Sequence, residues 1–219
     1  MTRVSRRASN RREKQQRILT AAIQVFAEMG YSAATMERIA EAAHLSKPTL
    51  YQYFDSKDAL FKAMMSAPRD RMMEVFDTPE STNHVAQLLS FARAYADIVM
   101  RPEYLSLARL IIGEAQRFPD VGRAYQASGP DRVLDRLITF MEAQKACGAL
   151  QFDDAELAAQ DFWGLILSAP RNRALHEPDN LPSAAQTARY VENGVRVFLK
   201  AYGVNSAQDL EDLAKLLNR

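Results

Sequence analysis

The chain is poor in the residues and patterns that mark several common classes of protein. Cys147 is the only cysteine in 219 residues, which excludes an internal disulfide and fits a reducing compartment. No apolar run approaches the roughly 18 residues of a membrane span, and no signal-peptide core is present. We therefore expect a cytoplasmic protein.

The chain also lacks the arrangements that carry catalysis or hold metals. No serine or cysteine has a base placed beside it, and neither a glycine-rich phosphate loop nor a pair of carboxylates at recognisable spacing occurs. The three histidines are scattered without a cysteine or carboxylate cluster at ligand spacing. We expect no metal site, no cofactor and no enzyme activity, and keep an enzyme only as a distant alternative.

Acidic residues are scarce at the N-terminus, where Glu13 is the only acid among the first seventeen residues, against seven basic side chains. Residues 1–62 carry a net charge of +5 and the remaining 157 carry −4. The net charge of the whole chain is thus near zero although its N-terminal segment is basic. This distribution predicts salt-dependent binding to DNA phosphates. We expect residues 1–16 to form a disordered arm that orders on DNA, for example in a minor groove. A solvated tail and a transit peptide are the alternatives.

Helical spacing and capping residues dominate residues 35–61. Apolar residues at positions 36, 39, 40 and 43 predict a two-turn helix that Thr35 caps. Ser46 and Pro48 open a second short helix after an interruption at His44 and Leu45. Ser56 caps a third. An apolar stripe from Ile18 to Met29, ending at Gly30, predicts a preceding helix. The pattern is typical of a helix-turn-helix.

The outward face of the second short helix carries donors, hydroxyls and an amide, which suit phosphate oxygens and base edges in a major groove. Over residues 17–61 the chain resembles the TetR/AcrR family of bacterial transcriptional regulators, with the pattern S-K-x-T-L-Y-x-Y-F-x-S-K-x-x-L-F matched from Ser46 to Phe61. The family usually has glycine in the turn where this chain has His44, so the resemblance implies a positive φ there. It also implies that Lys47, Thr49 and Gln52 approach bases and that Thr35, Tyr51, Tyr53 and Lys57 hold the DNA backbone. Pro48 completes the set assigned to DNA binding. In an arbitrary helix such aromatic residues are more often core.

Prolines and glycines divide the remainder into further helices. Pro68 is expected to end or kink the fourth helix near Ala67, and residues 77–83 read as a loop. Pro119 is expected to close a helix that starts at Glu103, and continuation of a later helix past Pro170 is left open. The predicted fold is all-α, with an N-terminal three-helix helix-turn-helix domain and a larger C-terminal helical domain for ligand binding and dimerisation. The predicted segments are 1–16 (basic arm), 17–67 (DNA-binding domain) and 68–219 (effector and dimer domain).

A regulator of this kind needs a dimer, because one short helix reads few bases. The helices from about Ala155 and Ser183 are the dimer candidates, with Gly164 and Gly194 allowing close backbone approach, and the resemblance implies that they pair as a four-helix bundle. The residues assigned to dimerisation are Leu157, Leu165, Val191, Val195 and Phe198. The alternative is that both helices only complete the monomer core.

A regulator also needs a cavity for its effector, and apolar walls with few polar groups define such sites. The residues assigned to it are Tyr95, Tyr104, Leu107, Ile111, Glu114, Phe118, Tyr125, Phe140, Phe162 and Trp163, although each alone is more often core. Glu114 falls on the apolar side of its helix, so it either pairs with an arginine such as Arg109 or Arg117 or awaits a cationic ligand. Resemblance of residues 107–130 to AcrR-like efflux repressors implies a large, apolar, often cationic or phenolic effector.

These features together predict a homodimeric repressor that occupies a palindromic operator on double-stranded DNA until an effector binds, with no membrane partner. The alternative is a non-specific architectural DNA-binding protein, which the ratio of specific to random DNA affinity distinguishes.

Overall fold

The computed structural model describes residues 3–64 and 83–218, with side chains from residue 10 onward. These residues form helices and no strand, apart from one isolated antiparallel bridge between Leu150 and Gly203. The all-α prediction is confirmed. The helices are α1 (Arg3–Ala33), α2 (Met36–Ala42), α3 (Lys47–Tyr51), α4 (from residue 57 to at least 64), α5 (His84–Val99), α6 (Pro102–Glu114), α7 (Pro119–Ser128), α8 (Pro130–Ala146), α9 (Ala155–His176), α10 (Ala184–Tyr202) and α11 (Ser206–Leu217).

The basic N-terminal segment is helical, which corrects the expectation of a disordered arm. Helix α1 runs from Arg3 without interruption to Gly30, where φ of 77° and ψ of 162° break the helical path. The physical reason is local: arginine, lysine, glutamate and glutamine are good helix formers, and neither glycine nor proline occurs between Arg3 and Met29. The helix predicted for residues 18–29 therefore extends backward through the arm.

The caps predicted around α2 and α3 are present. The Thr35 hydroxyl accepts the backbone N–H of Arg38 at 3.2 Å, and Ser46 accepts that of Thr49 at 3.4 Å. His44 has a φ of 54°, as expected, and sits where α2 closes with backbone bonds from His44 to Glu41 and from Leu45 to Ala40. Those two bonds form a Schellman motif, which satisfies the last carbonyls of the helix and fixes the turn into α3.

The chain divides into two compact units. The N-terminal unit comprises Met1–Ala67 together with Ser106–Ser128, and the C-terminal unit comprises Pro68–Leu105 together with Gly129–Arg219. The boundary expected near Ala67, the kink expected at Pro68 and the loop expected at 77–83 lie outside the described residues, apart from Asn83, which caps α5. The bounds 17–67 and 68–219 stay predictions, while in the structure the end of α6 and all of α7 group with the N-terminal unit.

The N-terminal unit has its own apolar core, built on the α1 stripe that the sequence indicated. Phe26 is fully buried and stacks on Tyr31 with ring centroids 5.4 Å apart, while Phe61 meets the Tyr31 ring edge-on at 5.2 Å. Leu107 and Ile111 from α6 are buried in the same cluster. Pro119, which was expected only to close a helix, is the first residue of α7, where its missing N–H is harmless.

The C-terminal unit is organised around α9 and α10. Asp154 caps α9 by accepting the N–H groups of Glu156 and Leu157 at 2.8 and 3.1 Å, and a capping box between Ser183 and Gln186 starts α10. Helix α9 continues through Pro170 to His176, so the question left open at Pro170 is answered. No helix among residues 3–64 and 83–218 is long and apolar enough to cross a membrane.

Candidate nucleic-acid interface

Helix α3 presents the side chains that the sequence assigned to bases on its solvent face. Lys47, Pro48 and Gln52 are exposed and Thr49 is half-buried, whereas Leu50 is fully buried beneath them. Tyr51 is 39% exposed, so it belongs to the surface and not to the core. The five-residue helix α3 is therefore packed against the core through Leu50, and its polar side chains face solvent.

Neighbouring side chains orient these groups. Lys47 forms an ion pair with Glu37 on α2, and its ammonium lies 5.9 Å from the centroid of the Tyr51 ring. The hydrogen bond between the two side chains raises the pKa of Lys47 and lowers the pKa of Glu37. The Thr49 and Ser46 hydroxyls are 2.7 Å apart. Both members of the ion pair are exposed, so Lys47 can leave Glu37 for a phosphate or a base at little cost.

Lys57 has a structural role that the sequence did not reveal. Its ammonium donates to the carbonyl oxygens of Tyr31, Ser32 and Ala34 at 2.7, 3.3 and 3.1 Å, and it lies 4.6 Å from the centroid of the Tyr31 ring. Three donors are therefore already used on the end of α1. A DNA contact by Lys57 stays a prediction, but removing this side chain also removes a bridge inside the unit, so it is a poor probe of binding.

The basic half of α1 lies beside the reading helix. The Arg11 guanidinium carbon is 5.8 Å from the centroid of the Tyr53 ring. A cleft of about 350 Å³ is lined by Asn10, Arg11, Lys14, Gln52 and Tyr53. The charge run in the sequence signalled the basic residues, but only the helical continuation of α1 places them against α3. Asn10, Arg11 and Lys14 are thus candidate contacts that were not assigned individually from the sequence.

Two family models match successive parts of the chain. Residues 18–64 match the family model described as bacterial regulatory proteins, tetR family. Residues 86–204, more than half of the chain, match that of the AefR-like transcriptional repressor, C-terminal domain. The chain belongs to the TetR family. It is therefore a transcriptional regulator and not an enzyme, and the resemblance seen in residues 17–61 is confirmed at the level of the family.

Individual relatives agree. A TetR-family regulator from Mesorhizobium loti MAFF303099 is 32% identical, with a TM-score of 0.72, over 93% of this chain and 100% of that one. The flavonoid-responsive regulator FrrA is 34% identical, with a TM-score of 0.63, over 87% and 97%. The transcriptional activator FasR of Mycolicibacterium smegmatis is 43% identical over 29% of each chain. The chain spans 29% of the length of FasR and 56% of several other curated regulators.

The residues assigned to one effector cavity fall into two separate clusters in this TetR-family chain. Leu107, Ile111, Phe118 and Tyr125 pack in the cluster of the N-terminal unit, with Leu107 and Ile111 almost fully buried. The cluster of the C-terminal unit contains the remaining apolar members, which are Tyr95, Tyr104, Phe140, Phe162 and Trp163. The expectation of one shared lining is therefore corrected. Helical spacing identified the apolar faces, but it could not say which unit each face packs in.

Glu114 meets neither of the partners that the sequence suggested. It is half-buried, and its Oε1 lies 2.9 Å from the point where a Cβ on Gly30 would stand. Among residues 3–64 and 83–218 its carboxylate forms no ion pair or hydrogen bond, while Arg109 donates to Ser106 at 3.0 Å. The carboxylate thus packs on the glycine that ends the straight part of α1. It belongs to the N-terminal unit and is not part of the aromatic cluster around Trp163.

Three of the five residues assigned to dimerisation are core residues of a single chain. Val191, Val195 and Phe198 are at most 1% exposed, which corrects their assignment to an interface. Leu157 and Leu165 are 58% and 39% exposed. On α10 the exposed apolar side chains are instead Tyr190 and Val197, one residue away from the buried stripe. Both faces of α10 repeat at helical spacing, so periodicity alone does not distinguish the buried face from the exposed one.

Gly194 and Gly164 also differ in their surroundings. A Cβ at Gly194 would lie 2.6 Å from the Leu165 carbonyl oxygen, so this glycine lets α9 and α10 of one chain touch backbone to backbone. A Cβ at Gly164 would meet nothing within 4 Å. Gly194 therefore serves close packing inside the monomer, whereas Gly164 lies on the open face of α9.

Proposed function

We propose that this TetR-family regulator is a homodimeric repressor that occupies a palindromic DNA operator and releases it when a small molecule binds. The observation that carries the proposal is the polar surface of α3, with Lys47, Thr49 and Gln52 turned outward and the basic half of α1 beside it. The family model that matches residues 86–204 is described as the C-terminal domain of a transcriptional repressor, which supports repression over activation. Such a protein would act in the cytoplasm, where the chromosome is.

The helical form of the basic segment changes how it would meet DNA. A helix with side chains is about 10–12 Å across, and a B-DNA minor groove is only about 6 Å wide. The minor-groove arm expected from the sequence therefore gives way to a helix that follows the phosphate backbone beside the major groove. Arg11 and Lys14 are the described residues that would make these contacts. Binding should weaken with salt, with a slope of about −0.9 for each phosphate neutralised.

Substitution of a residue that contacts bases and of one that contacts the DNA backbone should change the affinities for operator and random DNA in different ways. We expect Gln52→Ala to lower the ratio of operator to random-DNA affinity by about 5- to 150-fold, because a good base contact supplies roughly 1–3 kcal/mol of discrimination. Tyr51→Ala should weaken both complexes about equally, because phosphate contacts carry no sequence information. Fluorescence anisotropy on a selected operator and on a shuffled duplex measures both affinities.

Gln126→Ala is the matched control, since Gln126 is exposed on α7 outside this surface. It should leave both affinities unchanged. Equal losses on operator and random DNA for Gln52→Ala would contradict the assignment of Gln52 to bases. A wild-type protein that binds both duplexes equally tightly would favour the non-specific architectural protein instead.

The exposed apolar side chains of α9 and α10 support a second copy of this chain as the partner of the C-terminal unit. Leu165 lies at the point where α9 touches Gly194, and Tyr190 and Val197 lie about one turn to either side of Gly194 on α10. Two adjacent helices thus share an apolar face that the single chain leaves open to water. A two-fold pairing of such a face buries it and presents two reading helices about 34–36 Å apart, or a multiple of that distance.

A planar phenolic compound is the effector class that the comparisons support. FrrA, which is 34% identical over 87% of this chain, is named as flavonoid-responsive. In the C-terminal unit, Tyr95 and Trp163 have ring centroids 5.8 Å apart, and the half-buried Trp163 and Tyr104 pack against the same apolar cluster. Aromatic walls of this kind suit a flat ring. We place the effector against these residues.

Trp163 is the only tryptophan in the chain, so its fluorescence reports directly on this site. We expect the flat flavone apigenin to change the Trp163 emission saturably and to weaken operator binding about 5- to 150-fold, the range of a coupling of about 1–3 kcal/mol. Free N-acetyltryptophanamide controls for absorption by the ligand. Release from the operator without an emission change would place the site elsewhere, and neither effect at about 1 mM would exclude this effector class.

A further inference from the structure

A cleft of about 440 Å³ lies within the N-terminal unit, away from the surface of α3 that faces DNA in the proposed function. Its walls come from the end of α1, from α4 and from the α6–α7 segment. The lining residues are Tyr31, Asp58, Phe61, Lys62, Arg117, Phe118, Pro119, Asp120, Val121 and Ala124. The volume falls in the range of small-molecule pockets, which is roughly 300–1,000 Å³. Neither the DNA surface nor the aromatic cluster around Trp163 uses these residues.

The floor of the cleft is aromatic. Phe61 is 2% exposed and meets the half-buried Tyr31 ring edge-on, with 5.2 Å between the centroids. Phe118 is half-buried and Val121 is 6% exposed, and both pack on the same cluster. The Tyr31 hydroxyl donates to Asp58, and burial together with that bond raises the pKa of Tyr31, so the hydroxyl stays protonated. These walls suit a flat ring in preference to a polar or highly branched molecule.

Among the described residues that line the cleft, two are acids and two are cations, and of these four only the acids have a hydrogen-bonded or ionic partner. Asp58 accepts the hydroxyl of Tyr31, and Asp120 pairs with Arg123 at 2.6 Å. Within the part of the chain that the structure describes, Lys62 and Arg117 have no acidic partner.

The Arg117 guanidinium carbon lies 5.2 Å from the centroid of the Phe118 ring, which leaves its hydrogen-bond donors available. The Glu114 carboxylate packs on Gly30, and Glu114 is not among the described residues that line the cleft.

We propose that this cleft binds a small aromatic carboxylate, with its ring on Tyr31, Phe61 and Phe118 and its carboxylate between Lys62 and Arg117. Carboxylates are the groups that a guanidinium holds in a bidentate fork, and an ammonium adds a second charge-assisted bond. The site is separate from the flavonoid site proposed at Trp163. An occupant would bridge α4 to the α6–α7 segment inside the DNA-reading unit, and any effect on operator binding rests on the proposed function.

Isothermal titration of the full chain with 2-naphthoate tests the site, with 2-naphthol as the neutral probe of the same ring. We expect 2-naphthoate to bind once per chain and about tenfold or more tightly than 2-naphthol, since only the carboxylate forms charge-assisted hydrogen bonds with Lys62 and Arg117. The double variant Lys62→Gln/Arg117→Gln should lose about tenfold or more of the 2-naphthoate affinity and none of the 2-naphthol affinity. Both side chains are exposed, so the variant should fold normally.

Arg132→Gln is the matched control, because Arg132 is an exposed arginine of α8 in the C-terminal unit. It should bind 2-naphthoate like the wild type. Equal affinity of the double variant and the wild type would overturn the proposal, as would equal affinity for the two probes or no binding at about 1 mM. The titration contains no DNA, so its failure leaves the proposed repressor function intact, and failure of operator binding leaves this site intact.

Discussion

Replacing Leu165 and Val197 together by glutamate is expected to convert the proposed dimer to monomers and to weaken operator binding by about 100-fold or more. Leu165 and Val197 are each 39% exposed in the single chain, so glutamate is tolerated there in a monomer. In a two-fold interface the same substitutions would bring four carboxylates into an apolar contact, and juxtaposed like charges cost several kcal/mol. A monomer presents one reading helix to a half-site and loses the second.

Analytical ultracentrifugation gives the mass in solution, and fluorescence anisotropy on the operator gives the affinity. The matched control is Ile112→Glu on α6, because Ile112 is 64% exposed but lies outside α9 and α10. It should leave both the mass and the operator affinity unchanged. If the double variant remained dimeric with a native circular dichroism spectrum, the exposed face of α9 and α10 would not be the interface, and the pairing proposed here would be wrong.

Gly194→Ala is expected to lower the free energy of unfolding by about 3 kcal/mol, although it adds a single methyl group. The new Cβ would stand 2.6 Å from the Leu165 carbonyl oxygen, 2.9 Å from its carbon and 3.0 Å from the Ile166 Cα. All three are backbone atoms of α9, which cannot rotate away as a side chain would. The two helices must therefore separate, and overpacking of this kind costs about 1–3 kcal/mol or more.

Separation would also open the core that α9 and α10 share. Phe162 and Phe198 are fully buried with ring centroids 4.9 Å apart, so a shift of one helix removes contacts from both rings. Urea unfolding at one fixed protein concentration measures the change, since dimerisation makes stability depend on concentration.

The matched control for Gly194→Ala is Gly113→Ala on α6, where a Cβ would meet nothing within 4 Å. Alanine there should leave stability unchanged or raise it by up to about 1 kcal/mol, because a helical glycine has more chain entropy to lose. An unchanged unfolding midpoint for Gly194→Ala would mean that α9 and α10 are not in backbone contact at this point.

The helix-turn-helix was readable from the sequence because its signals are local. Thr35 and Ser46 cap the helices that follow them, and His44 takes the positive φ that the turn requires. Each of these depends on atoms a few residues apart, so the residue type in sequence is enough to indicate the bond. The outward set on α3 followed in the same way, since the buried position of Leu50 decides which neighbours face solvent.

Side-chain contacts between residues far apart in the chain could not be predicted from the sequence. Lys57 reaches carbonyl groups of residues 31, 32 and 34, and nothing in the residues around it indicates that bond. Glu114 has the same property, because its neighbour is Gly30 in a helix that precedes it by eighty residues or more in sequence. The sequence offered Arg109 or Arg117 because they lie near Glu114 in the chain.

The apolar faces show the same limit at the level of whole helices. Periodicity found the stripe of α10 that contains Val191, Val195 and Phe198, and the structure buries that stripe in one chain. The face left for a partner carries Tyr190 and Val197, whose spacing is equally helical. The apolar periodicity of one helix indicates which residues avoid water, but it does not indicate which surface of the protein or of a partner covers them.

The amino-acid sequence by itself determined the family, the all-α class, the caps and turn of the reading head, and the concentration of positive charge at one end. These depend on backbone propensity, short-range hydrogen bonds and composition, which act within a few residues. Tertiary structure decided that the basic segment lies beside Gln52 and Tyr53, that α7 belongs to the N-terminal unit, and that Gly194 joins α9 to α10. Those outcomes depend on which distant surfaces exclude water together, and burial is a property of the assembled chain and not of any one segment of it.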